Sequence, residues 1–224
     1  MLSEMFLKLW HAGLIQKGIW ETIYMTVIST AISYVIGLPL GVILTITDKG
    51  GIHPIPWLSR LLGVIVNFFR SIPFIILMVA MLPVAKFVVG TSLGNKAMIV
   101  MLVIAAAPYI ARMVESSVKE VDAGVIEAAQ AMGATTRQII TRFLLPEALP
   151  SIVLAMTTGT VGLLGATAMA GYVGGGGVGD LALTYGYQRY NFPLLILTIV
   201  SLVIFVQLLQ LLGNRVSGKL RQHR

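Results

Sequence analysis

The sequence predicts an all-α polytopic membrane protein with five transmembrane helices, its N-terminus outside and its C-terminus inside. Three observations lead there. Of 224 residues, 57% are hydrophobic and only 11% charged, against roughly a quarter charged in a water-soluble domain. The apolar residues fall into runs long enough to cross roughly 30 Å of hydrocarbon at 1.5 Å per residue. Glycine, frequent in membrane helices, recurs inside those runs. The formal charge of +7 comes from basic residues scattered over short loops and the C-terminal tail. Bilayer orientation accounts for that scatter better than phosphate tracking, so no nucleic-acid partner is expected. With no cysteine there can be neither disulfides nor thiolate metal sites. His11, His53 and His223 lie far apart and form no metal pattern. Glu4, Lys8, His11 and Lys17 interrupt any short apolar run, which argues against a cleaved signal.

Residues 1–224 read as one transmembrane domain. The first span covers about 22–45, with Gly37, Pro39 and Gly41 as candidate bends, and Gly50, Gly51, Pro54 and Pro56 mark the loop that follows. A second span at about 61–84 is broken by Asn67, Arg70 and Pro73. Gly90 to Lys96 is a polar turn before a shorter third span at about 97–114, with Pro108 and Arg112 near its end. The fourth and fifth spans cover about 148–170 and 192–212. With the N-terminus outside, inside segments hold Lys49, Arg60, Arg112, Lys119, Arg137, Arg142, Arg215, Lys219, Arg221 and Arg224. Outside segments hold Lys8, Lys17, Lys86, Lys96 and Arg189, a bias of ten against five in the direction the positive-inside rule requires.

The most informative stretch is polar and lies between apolar ones, in a cytoplasmic connection at about 119–146. Loops of this length usually carry structure or function. Asp122 is a helix opener, and Glu127, Ala128, Ala129, Ala131 and Met132 favour continuation. Gly133 interrupts. Thr135 and Gln138 have capping-box spacing, so a second helix begins there. Ile139, Ile140, Phe143 and Leu144 form an apolar stripe at helical spacing, leaving Arg137, Gln138 and Arg142 to water, and Pro146 is expected to end the unit. The same pattern would serve an amphipathic pair resting on the membrane. A helix-turn-helix DNA reader fits poorly, because both ends are tethered at the bilayer.

Glu127-Ala128-Ala129, then Gly133, then Leu145-Pro146 resemble the EAA motif of the integral-membrane subunits of bacterial ABC importers. Phe143 stands where the usual pattern has isoleucine, which keeps an apolar anchor. Phe69 to Phe74, Ala107 to Arg112 and Gly174 to Gly179 extend the likeness to the permeases of methionine-uptake ABC transporters. The resemblance implies the type I ABC importer permease fold in the bacterial plasma membrane. It also implies a second copy of the chain, two cytoplasmic ATPase subunits holding ATP and magnesium, and an external methionine-binding lipoprotein. This chain would be the non-catalytic subunit, and Glu127, Ala128, Ala129, Gly133, Phe143, Leu145 and Pro146 would form the coupling surface.

Pathway or gate candidates are Arg70, Ser71, Pro73 and Met169. A lipid-facing arginine is costly, so Arg70 should face protein, water or a helix end, where it either bonds carbonyls loosened around Pro73 or attracts substrate. Met169 offers a flexible thioether, while Ala166 departs from the bulkier polar aromatic of some relatives. Gly159, Gly162, Gly165 and Gly171 suit close helix packing on the fourth span. The Gly174 to Gly179 run lacks the Gly-Lys-Ser/Thr of a P-loop and reads as a flexible or tightly turned external loop. Tyr172, Tyr185, Tyr187, Tyr190 and Trp57 are interface-anchor candidates. Two other readings stay open: import of a different amino acid, and ion-coupled secondary transport. Against the second, no acidic residue falls within a span and no inverted repeat is visible.

Overall fold

The computed structural model describes residues 11–222; Glu4, Lys8, His223 and Arg224 lie outside them. Helix α1 (Leu14–Thr47) is followed by α2 (Pro56–Ser71), α3 (Phe74–Ala80), α4 (Leu82–Val89) and α5 (Asn95–Lys119). Helix α6 (Ala123–Ala131) and the single turn α7 (Thr136–Gln138) precede a π-helical turn at Ile139–Leu144. Next come α8 (Leu145–Ala170), the short α9 (Gly177–Asp180) with a second π-helical turn at Leu181–Tyr187, and α10 (Phe192–Gln222). Among the described residues four helical stretches are long and apolar enough to cross a membrane. A fifth crossing is available if α2 and α3 are one broken span.

The break expected within the second span falls at Pro73, while Asn67 and Arg70, expected to share in it, lie inside an unbroken α2. The helix axis turns by 101° between α2 and α3, and the chain breaks again at Met81 before α4. Pro73 is the cause, because proline disfavours helical backbone in the preceding residue and restarts a helix well. Its carbonyl accepts the Ile76 and Leu77 amides at 3.0 Å each. The helices containing the other expected spans run longer than hydropathy alone suggests, since charged ends such as Lys119 and Arg221 continue the helix past the apolar run.

The described residues pack as two compact units. One comprises the stretch ending at Ile32, Ile72–Ala106 and Thr160–Leu209; the other comprises Ser33–Ser71, Ala107–Gly159 and the chain from Gln210 onward. In the first unit Ile15 and Leu194 are buried together, with Ile19, Tyr185 and Leu197 around them. In the second, Leu44, Val66 and Ala111 form the core with Leu40 and Leu62. Helix α5 is the most enclosed candidate span, with 56% of its most apolar stretch buried, against 11% for α10.

Within the second unit Gly37 and Gly41 do not interrupt α1, which runs unbroken through Pro39. They admit α5 instead. A Cβ on Gly41 would lie 2.5 Å from the Ala111 carbonyl oxygen, and one on Gly37 would lie 2.6 Å from Ile110 Cγ2. In a bilayer, where lipid is as apolar as leucine, such close packing rather than water exclusion holds helices together. Tyr34 reaches across to α8 in the same unit, where its hydroxyl donates to the Ala155 carbonyl at 3.3 Å. Gly159 leaves room for that ring, because a Cβ there would lie 2.8 Å from the Tyr34 hydroxyl.

Candidate coupling site

The 119–146 segment is built by local capping. The Asp122 carboxylate accepts the Gly124 amide at 2.7 Å and opens α6, satisfying one of the free amides at a helix start and complementing its dipole. At the other end Gly133 adopts a φ of +79°. The Gly133 amide donates to Gln130 O at 2.9 Å and the Ala134 amide to Ala129 O at 3.1 Å. This pair is a Schellman cap, which needs a left-handed residue that glycine supplies without a Cβ clash. Thr135 and Gln138 then form the full capping box: the Thr135 amide donates to Gln138 Oε1 at 2.8 Å, and the Gln138 amide to Thr135 Oγ1 at 3.4 Å.

Beyond that cap the expectation fails at one point: Pro146 does not end the unit. The π-helical turn Ile139–Leu144 runs straight into α8, with the Leu145 amide donating to Ile140 O. Widening to π spacing just before Pro146 puts the residue without an N–H at the change of register, where proline is tolerated. Ile139 and Leu144 are buried at 2% and 4% exposure, whereas Arg137, Gln138 and Arg142 are exposed. Phe143 and Leu145 are half-buried behind them.

The outer surface of α6 carries Glu127 and Ala128, both exposed, while Ala129 faces inward and is fully buried. Met132, at the tip beside Gly133, is 72% exposed. It is a functional candidate that sequence reasoning used only as a helix former; its position against the breaking glycine was the available signal. Beside α6 lies a cavity of about 450 Å³, lined among others by Asp48, Lys119, Ile126, Glu127, Gln130 and Leu144. The segment thus offers one acidic side chain, a small-residue surface and one apolar knob on a doubly capped helix, an arrangement suited to docking rather than to bond chemistry.

The pathway candidates separate. Arg70, Ser71 and Pro73 sit together at the α2–α3 break. Arg70 is exposed in the last turn of α2, where its charge complements the helix dipole, and the Ser71 hydroxyl closes that turn by donating to Asn67 O at 2.8 Å. Met169 stands on α8, 47% exposed, on the same uncovered face as Gly162 and Gly165. Those two glycines meet nothing within 4 Å of a built Cβ, so they do not pack helices within this chain. Gly171 does pack closely, since a Cβ there would lie 2.4 Å from Asp180 N.

The glycine-rich run is a tight turn, clasped to α1. Glu21 Oε2 accepts the Gly177 amide at 2.9 Å and Thr22 Oγ1 accepts the Val178 amide at 2.8 Å, capping α9 from a distant helix. Neither Glu21 nor Thr22 was singled out by sequence reasoning, because nothing local marks a carboxylate as the cap of a turn 156 residues away. Of the aromatic candidates, Trp57, Tyr172, Tyr187 and Tyr190 are exposed. Tyr185 is instead half-buried with the Arg189 guanidinium 4.5 Å from its ring centroid.

Comparison with known proteins places this architecture. Residues 37–222 match the family model described as the binding-protein-dependent transport system inner membrane component. A probable D-methionine transport system permease protein MetI of Vibrio cholerae is 48% identical over 204 residues, 91% of each chain. The D-methionine transport system permease protein MetI of Salmonella typhimurium is 52% identical over 158 residues, 70% of this chain and 73% of that one. Among solved structures, the methionine ABC transporter MetNI in an inward-facing conformation superposes with a TM-score of 0.91 at 48% identity, covering 94% of this chain and 97% of the other. An amino acid ABC transporter solved with histidines shares the fold, with a TM-score of 0.73 at 19% identity. The chain therefore belongs to the binding-protein-dependent transport system inner membrane component family, and is a multi-pass helical permease of the inner membrane.

Proposed function

We propose that this chain is the translocating subunit of an ATP-driven importer that carries methionine, L- and D-, inward across the plasma membrane. The observation that carries the reading is the capped helix–Gly–helix segment, with Glu127, Ala128 and Met132 presented outward. It is supported by relatives at about half identity whose names specify D-methionine. The chain works as two copies with two cytoplasmic ATPase subunits, which hold the ATP and magnesium, and receives substrate from an external methionine-binding lipoprotein. The N-terminus lies outside and the C-terminus inside.

Glu127 pairs with a basic group of the ATPase, Ala128 and Gly133 allow close approach, and Phe143, Leu145 and Pro146 anchor the unit to α8. Nucleotide shifts the permease only through its differential affinity for two states, so a rigidly capped segment is what the mechanism needs. Arg70, Ser71 and Pro73 at the helix break and Met169 on the uncovered face of α8 are assigned to the pathway. The deciding experiment reconstitutes the chain with its ATPase and binding protein in liposomes and follows labelled L- and D-methionine. ATP-dependent uptake that is lost on Glu127→Lys with the subunits still assembled is the expected result. ATP turnover without methionine uptake would redirect the substrate, and flux driven by an ion gradient without any ATPase would overturn the reading.

A further inference from the structure

The second unit contains a chain of charges that the docking reading does not use. Glu115, on α5, has a side chain only 9% exposed, and each of its oxygens is taken by a different cation. Arg112 Nη1 donates to Oε2 at 2.6 Å and Lys119 Nζ donates to Oε1 at 2.9 Å. Lys119 also donates to Asp48 Oδ2 at 2.8 Å, in the loop after α1. Arg112 Nη2 reaches α2, donating to Asn67 Oδ1 at 3.2 Å and Gly63 O at 3.3 Å. One buried carboxylate therefore ties together the end of α5, the α1–α2 loop and the middle of α2. A carboxylate taken out of water is retained at low cost only when both of its oxygens are matched in this way.

The location gives the network its meaning. Lys119 is the last residue of α5, and Asp122, which opens α6, is three residues on. Asp48 and Lys119 line the same cavity as Glu127 and Gln130. Because that space is open, the entry to α6 is not fixed on this side by close apolar packing; Ala129 is the one fully buried side chain of α6. The ion-pair chain joins the α1–α2 loop to the end of α5 beside that space.

We propose that Glu115 and Lys119, with Arg112 and Asp48, are positioning residues: they hold the entry of the coupling segment in register with α1 and α2, so that displacement of α6 moves the transmembrane helices. The inference rests on the permease reading above. It is tested in the reconstituted complex by the ratio of methionine imported to ATP hydrolysed. Lys119→Glu sets a carboxylate against the buried Glu115 and should lower that ratio about tenfold, whereas Asp48→Lys breaks only the more exposed pair and should lower it about twofold. Lys119→Arg keeps a cation against both Glu115 and Asp48 and should retain most of the ratio. An unchanged ratio in both single reversals, or a loss with Lys119→Arg as large as with Lys119→Glu, overturns the proposal. Should a charge reversal fail to assemble, Glu115→Gln keeps the volume and removes the charge; a normal ratio there overturns it equally. If the unaltered complex shows no ATP-dependent import, the permease reading fails first and this proposal goes with it.

Discussion

At the scale of single residues the molecule turns on backbone conformation and on paired charge. Gly133 at φ +79° is a position where a β-branched side chain costs roughly 1–2 kcal/mol or more. Gly133→Val is therefore expected to loosen the cap of α6 and to reduce both ATPase co-purification and substrate-stimulated hydrolysis. Normal values for both would show that the cap is dispensable. Asp48 makes a pH prediction. The hydrogen bond from Lys119, and after it the Lys49 amide, hold its carboxyl below the ordinary carboxylate range. A depressed pKa in the folded state means its contribution is complete above the unfolded value of about 4 and is lost as pH falls through the folded value. The difference in melting temperature between the parent and Asp48→Asn should accordingly be present at neutral pH and vanish in strong acid. It should be small, because the pair is partly exposed to water.

At the scale of elements, helix contact is governed by small residues at chosen positions. Gly41 brings α1 onto the backbone of α5, and a side chain there would collide with a carbonyl that cannot swing away. Gly41→Leu should destabilise by about 1–3 kcal/mol, as overpacking does, and lower the melting temperature of the detergent-solubilised protein. Gly162→Ala is the matched control: its Cβ meets nothing, so the melting temperature should hold. The Glu21 clasp is a second element-scale device. Replacing Glu21 with Ala leaves the Gly177 amide without its charged acceptor and should cost on the order of 1.5–3 kcal/mol, a typical value for hydrogen bonds to ionised groups. Thermal melting reads it directly, and an unchanged transition would mean that the turn is held by Thr22 and packing alone.

At the scale of the whole molecule the orientation can be tested because the chain has no cysteine. A single cysteine in place of Met132 should react with a membrane-impermeant maleimide only from the cytoplasmic side. One in place of Tyr187 should react only from outside. Labelling of both from one side would reject the proposed topology, because α8 would then not cross the membrane between them.

The sequence by itself determined the class of molecule and the local form of its candidate coupling segment. Asp122, Gly133, Thr135 and Gln138 act on amides within a few residues, so their spacing alone encodes the caps that the structure contains. Apolar run length picked out the long apolar helices as candidate spans because hydrocarbon thickness is a fixed external ruler. Only the tertiary structure decided the rest. Gly37 and Gly41 read as bends because a sequence does not say which neighbour approaches, and the close approach belongs to α5. Pro146 read as a terminator because the π-helical turn that absorbs its missing amide is a register change without a compositional mark. Arg112, Glu115 and Lys119 stand one helical turn apart on α5, whereas the Glu21 clasp and the Lys119–Asp48 pair join residues far apart in sequence. Charge pairing depends on distance in space, and the order of residues along the chain does not set that distance.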